Sequence, residues 1–128
     1  MDDLVEFLRA RLDEDEQVAR AAAGRNWLDG DGWLMNEDMH IAEVGDRPTL
    51  VHIAAHDPAR VLREIDAKRR IIAEHEMVPA GQGGKLGCDI CVATPSWGPE
   101  VVSGPCTTLR LLALPYADRP GYRSEWRP

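Results

Sequence analysis

All three cysteines of the chain lie in one segment, residues 87–106, which reads GCDICVATPSWGPEVVSGPC. Cys88 and Cys91 are separated by two residues, and this spacing lets two thiolates reach one metal ion from a tight turn. Cys106 stands at the predicted start of a helix, and His75 stands at the predicted end of an earlier one. The pattern H-x12-C-x2-C-x14-C therefore predicts one structural Zn²⁺ per chain in a closed Cys₃His site. The predicted ligands are His75, Cys88, Cys91 and Cys106.

Other chemistry for the same residues stays open. Asp89 is an alternative fourth ligand. Further interpretations of the segment are an iron–sulfur cluster, redox-active thiols, or the site of a zinc- or cysteine-dependent enzyme. The zinc deaminase pattern is not met, because Glu76 follows His75 directly and Gly87 precedes Cys88 where that pattern requires proline. The chain has no nucleophile elbow, P-loop or dinucleotide fingerprint. The sequence thus nominates no catalytic residue and no residue that binds an organic cofactor.

Composition limits the class of protein. Nothing at the N-terminus has the apolar core of a signal peptide, and no segment approaches the roughly 18 consecutive apolar residues of a transmembrane helix. We therefore expect a cytoplasmic protein with no membrane partner, in which thiols stay reduced and closely spaced cysteines are more typical of metal sites than of disulfides. The length of 128 residues predicts a single domain.

The net charge of −7 is unevenly distributed along the chain. Residues 1–57 carry 14 Asp and Glu against 5 Arg, whereas residues 58–128 carry 8 against 10 Lys and Arg. An acidic protein is a poor general binder of nucleic acid, because contacts to phosphates dominate that affinity. The basic face of the segment 57–76 keeps a nucleic-acid-associated regulator as the alternative function.

The elements that must position the metal ligands follow from periodicity and from capping residues. Leu4, Leu8 and Leu12 predict a helix, and Asp57 with Pro58 predicts the start of the longest one. The predicted fold is α+β, with an acidic part over residues 1–56 and a part over 57–128 that holds the zinc knuckle. Its elements are a helix over 3–22, a connection over 24–38, a β-hairpin of strands 39–44 and 49–55, a long helix over 57–76 and a short helix over 107–114.

Two further groups of side chains receive an interpretation. Tyr116, Tyr122 and Trp126 are expected to anchor the C-terminal tail onto the body of the protein. His40 and His52 would face each other across the predicted hairpin, whereas His52 and His56 would not share a helix face. These histidines are interpreted as ordinary strand and cap residues, with a second metal site or a catalytic pair as the alternative.

The chain also resembles a family of small uncharacterised proteins from streptomycetes, other high-GC Gram-positive bacteria and their phages, labelled a domain of unknown function. The resemblance lies in the opening MDDLVEFLRARLDEDEQVARAA, the segment HDPARVLREIDAKRRIIAEHE, the motif CDIC and the closing PCTTLRLLALPYADRPGYRSEWRP. It implies a shared architecture with a metal-binding knuckle built from His75, Cys88, Cys91 and Cys106. It brings no catalytic residue.

The sequence therefore favours a non-enzymatic binding, adaptor or regulatory protein with a structural zinc ion. The expected partner is another protein of unknown identity, and a homo-oligomer is compatible with the apolar face of the first helix.

Overall fold

The computed structural model describes residues 3–75, 77–79, 86–88 and 105–128. Its fold is mixed α+β, as predicted, and the N-terminal helix is followed by a three-stranded antiparallel sheet and further helices. The elements are α1 Asp3–Ala21, β1 Leu28–Gly30, β2 Trp33–Met35, β3 His40–Glu43, α2 Arg47–Ala55, α3 Pro58–Glu74, β4 Met77–Pro79, β5 Leu86–Cys88 and α4 Thr107–Ala113, with 3₁₀ turns at Leu114–Tyr116 and Ser124–Trp126.

The chain divides into two compact units, with boundaries inside α1 and inside α3. One unit contains the described residues up to Arg11 and from Lys68 onward, and the other contains Leu12–Ala67. The single domain expected over residues 1–128 stays a prediction. Among the described residues, no helix combines the length and the apolar character needed to cross a membrane.

The unit Leu12–Ala67 contains the sheet β1-β2-β3, all of whose pairings are antiparallel. A two-residue turn joins β1 to β2, and both of its residues, Asp31 and Gly32, have positive φ angles of 46° and 84°. Such a turn matches the twist of the strands, and Asp-Gly is among its preferred sequences. The prediction of a mere connection over 24–38 is therefore wrong, since this segment supplies two strands.

The predicted hairpin of strands 39–44 and 49–55 is also wrong in its second half. β3 lies in the first segment, but residues 47–55 form the helix α2. The reason is local: Asp46 is the N-cap, because its Oδ2 accepts the Thr49 backbone N–H at 3.0 Å and the Thr49 hydroxyl at 2.5 Å. Pro48 stands in the first turn, where a missing N–H costs nothing. The residues GDRP that suggest a turn are thus the start of a helix.

Asp57 begins α3 as predicted. Its Oδ1 accepts the Arg60 N–H at 2.9 Å, which satisfies one of the otherwise unpaired amides of the first turn. Its Oδ2 accepts the backbone N–H of Trp27 at 3.2 Å, so the same carboxylate holds the segment before β1 against the helix start. A backbone bond from Ala59 N–H to the Arg25 carbonyl, 2.9 Å long, reinforces this contact.

The other unit holds the tail against the first turns of α1. The ring of Phe7 lies 5.9 Å from that of Tyr122 and 5.3 Å from that of Trp126. Arg123 pairs with Asp3 at 2.9 Å, and Tyr116 and Trp126 are buried. The expected anchoring of the tail by aromatic residues is confirmed, because such rings bury much apolar area and prefer these tilted contacts.

The cap of α2 generates a pH-dependent prediction. The hydrogen bond from the Thr49 hydroxyl, and then that from its backbone N–H, lowers the pKa of Asp46. A lowered pKa gives stability that is present above the unfolded pKa and is lost as pH falls through the folded value. Asp46→Ala should lower the melting temperature by a few degrees near neutral pH, and this difference should narrow below about pH 4.

Asp46→Ser is the matched control, because serine also caps helices but carries no titrating carboxyl group. Its melting temperature near neutral pH should stay close to that of the wild type. It should lose the part of the pH dependence that comes from the Asp46 carboxylate. Thermal unfolding followed by circular dichroism at several pH values separates the three proteins. A deficit of Asp46→Ala that is constant down to about pH 2 would contradict capping by the carboxylate.

Candidate metal centre

Three elements of one unit bring His75, Cys88 and Cys106 together. His75 follows the last residue of α3, and its N–H still donates to the Ile71 carbonyl at 3.1 Å. The short hairpin of β4 and β5 then reverses the chain, so that Cys88 pairs with Met77, two residues after His75. Cys106 immediately precedes α4. The reversal at β4 and β5 is what returns the first cysteine to the histidine.

The ligand atoms of these residues are close enough to hold a metal ion. The Nδ1 of His75 lies 3.4 Å from the Cys88 sulfur and 3.8 Å from the Cys106 sulfur. All three atoms lie within 4.8 Å of one another. The same ring nitrogen thus faces both sulfurs, as it must if one ion is to bind all three.

Both cysteines of this group are buried. Cys88 is 2 % exposed and Cys106 is not exposed at all, while His75 is half-buried. Thiolates are costly to bury without a compensating positive charge. A metal ion at this place would supply that charge and would bind both sulfurs as thiolates together with a neutral imidazole.

The backbone around Cys106 is held by its neighbours. Cys106 has extended dihedral angles, φ −68° and ψ 160°, and its side chain makes no capping hydrogen bond to α4. The Arg110 N–H donates to the Cys106 carbonyl at 3.1 Å, and the Arg110 side chain donates through Nε to the Pro105 carbonyl at 2.9 Å. Arg110 therefore holds the backbone at Pro105 and Cys106, where the chain enters α4. Nothing in the sequence pattern indicates this role.

The structure unites three of the four predicted ligands. Cys91, like the alternative ligand Asp89, lies outside the described residues, so the fourth position stays a prediction. The metal group of His75, Cys88 and Cys106 is borne out as a set of atoms that could hold an ion.

The remaining histidines lie in the other unit, and the correction of α2 changes their relations. His52 and His56 belong to the same helical segment, and their ring centroids are 4.3 Å apart, so the expectation that they would not share a helix face is wrong. His40 stacks on Trp33 with centroids 4.9 Å apart. It does not face His52 across a hairpin, because no second strand exists there. The spacing of four and the Asp46 cap were the signals that could have shown the pair.

The whole chain matches the model of a known protein family. The family model described as a family of unknown function, DUF6221, matches residues 1–128 and confirms the resemblance to such a family over the whole chain. No curated protein and no solved structure matches the chain.

The geometry predicts that His75→Ala weakens metal binding. Titration with Co²⁺, whose thiolate complexes absorb strongly, should show an affinity lower by roughly 100-fold or more, because a direct ligand counts for at least as much as its supporting residues. His40→Ala, which removes an exposed histidine of the other unit, is the matched control and should bind like the wild type. Equal affinities for His75→Ala and the wild type would contradict the grouping.

Proposed function

Since the chain belongs to DUF6221, a family of unknown function, we propose its role from the chain's own site. The protein is a small zinc-binding protein with one structural Zn²⁺, and it acts as a non-enzymatic binding or adaptor protein. The proposed ligands are His75, Cys88, Cys91 and Cys106.

The observation that carries the proposal is the size of the described ligand triangle. Tetrahedral Zn²⁺ with Zn–S of about 2.3 Å and Zn–N of about 2.0–2.1 Å places a nitrogen and a sulfur ligand about 3.6 Å apart. The distances from His75 Nδ1 to the two sulfurs, 3.4 Å and 3.8 Å, lie on either side of this value. Thiolate and imidazole donors together favour zinc over oxygen-seeking ions such as Mg²⁺ and Ca²⁺.

The fourth ligand is proposed from the chain. Cys91 follows Cys88 after two residues, the spacing with which two cysteines commonly hold one zinc ion from a single turn. A Cys₃His set of this kind has no open position for water or substrate. The closed set therefore supports a structural ion rather than a catalytic one.

Burial and connectivity support the structural role. The described ligands come from the end of α3, the end of β5 and the residue before α4, so one ion would tie together three elements that are distant in sequence. Both described sulfurs are buried, which gives a substrate little access to them. Because the site exists only in the folded chain, the binding free energy of the ion contributes to folding.

The proposed partner is a protein. The acidic residues 1–57 would repel a phosphate backbone, which weighs against a nucleic acid. Because a closed zinc site has no free coordination position, the protein would act through its surface and not through its metal.

The proposal predicts about one zinc ion per chain by elemental analysis of protein purified without added metal. X-ray absorption should give three sulfur ligands and one nitrogen. Removal of the ion by a strong chelator should unfold the unit that holds it, since a ligand at about 1,000 times its Kd stabilises a fold by about 4 kcal/mol. Purified protein that is folded and free of metal would overturn the proposal.

The fourth ligand has its own test. Cys91→Ser should lower the sulfur count by X-ray absorption from three to two and should weaken zinc binding by roughly 100-fold or more. Asp89→Asn removes the carboxylate of the alternative ligand while nearly keeping its shape, and it should change neither. The reverse result would assign the fourth position to Asp89.

A further inference from the structure

Two exposed histidines form a pair at the C-terminal end of α2, in the unit Leu12–Ala67. His52 lies within the helix, and His56 is its C-cap, four residues later. Residues four apart lie on the same helix face, and two histidines at this spacing are a recurrent metal-binding arrangement. Their ring centroids are 4.3 Å apart. The chain thus places two exposed imidazoles side by side at its surface.

The hydrogen bonding of His56 prepares it for a metal ion. Its Nδ1 lies 2.7 Å from the His52 carbonyl oxygen, and since a carbonyl only accepts, Nδ1 must donate. The other nitrogen, Nε2, then carries the lone pair when the ring is neutral. Histidines that bind metals almost always donate their second ring N–H in this way, which fixes the tautomer and the ring orientation and raises ligand basicity.

The local electrostatics also favour a cation. The last carbonyl groups of a helix carry partial negative charge, and His56 stands where those of α2 end. Arg60 carries a positive charge at this helix end, where its Nη1 donates to the Ala55 carbonyl at 3.1 Å. Its charge is offset by Glu64, whose carboxylate oxygen lies 2.9 Å from the Arg60 Nε.

We propose that His52 and His56 chelate a divalent transition-metal ion of the imidazole-seeking class, such as Ni²⁺ or Cu²⁺. Two nitrogen donors favour these ions, because affinity for divalent ions rises along the series to Cu²⁺ and imidazole suits nickel and copper. The other coordination positions belong to water or to an exogenous donor, since both histidines are exposed. The ion is therefore exchangeable, unlike one held by buried sulfurs.

The test is a calorimetric titration of the full chain with Ni²⁺, after the chain has been loaded with one equivalent of zinc for the cysteine site. Wild type should bind one further ion, and His56→Ala should bind it roughly 100-fold more weakly, the lower end of the gain that two linked ligands give over one. His40→Ala should bind like the wild type. A zinc-sensitive dye and the absorption of nickel thiolates report any exchange at the cysteines, so the readout is independent of the zinc proposal.

A register variant tests the geometry while keeping the number of histidines. In the double variant His52→Ala, Val51→His, the two imidazoles are five residues apart and leave the common face. Val51 is 44 % exposed, so the change should leave the fold intact, as circular dichroism can check. This variant should bind as weakly as His56→Ala. Wild-type affinity in the register variant or in His56→Ala would overturn the proposal.

Discussion

The contact between one imidazole nitrogen and two buried sulfurs is the constraint on which the unit Lys68–Pro128 with the start of α1 depends. His75 Nδ1, Cys88 and Cys106 join the end of α3 to β5 and to the start of α4. A sulfur–imidazole hydrogen bond is weak, whereas a metal ion at the same place would bind all three atoms strongly. The tail is held in the same unit by aromatic packing, because Phe7, Tyr122 and Trp126 bury apolar area against one another.

The unit Leu12–Ala67 depends on carboxylates at helix starts instead. Asp57 accepts N–H groups from Arg60 and Trp27, so one side chain caps α3 and holds the segment that leads into β1. Asp46 caps α2 in the same way, by accepting the backbone N–H of Thr49. These caps decide which residues are helical, and through α2 they decide that His52 and His56 meet. Here a local hydrogen bond determines which side chains can act together.

Some parts of the fold and of the candidate site could be predicted from the sequence and others could not, depending on the sequence pattern of each segment. Helices with an apolar stripe on one side can be predicted from the sequence, because the residues that periodicity places on the buried face are buried in the structure. Leu4, Leu8 and Leu12 of α1 are the example. The segment 49–55 is short and apolar on most sides, so its pattern does not separate strand from helix. The cap of α2 decides it, and GDRP is equally compatible with a turn. The grouping of His75, Cys88 and Cys106 was predictable for another reason, because the spacing of cysteines indicates ligand chemistry without a prediction of the backbone between them.

Two histidines that stand at the ends of helices have different surroundings, so position in a helix does not determine the chemistry of an imidazole. His56 and His75 each stand just after the last residue of a helix. His75 faces two buried sulfurs, which suit a tightly held ion, whereas His56 faces a second exposed imidazole, which suits an exchangeable one. The proposed Cys₃His set would leave no coordination position for a reacting group. Any metal-dependent behaviour that changes with the cell's metal supply is therefore better sought at nitrogen ligands on the surface than at the cysteines.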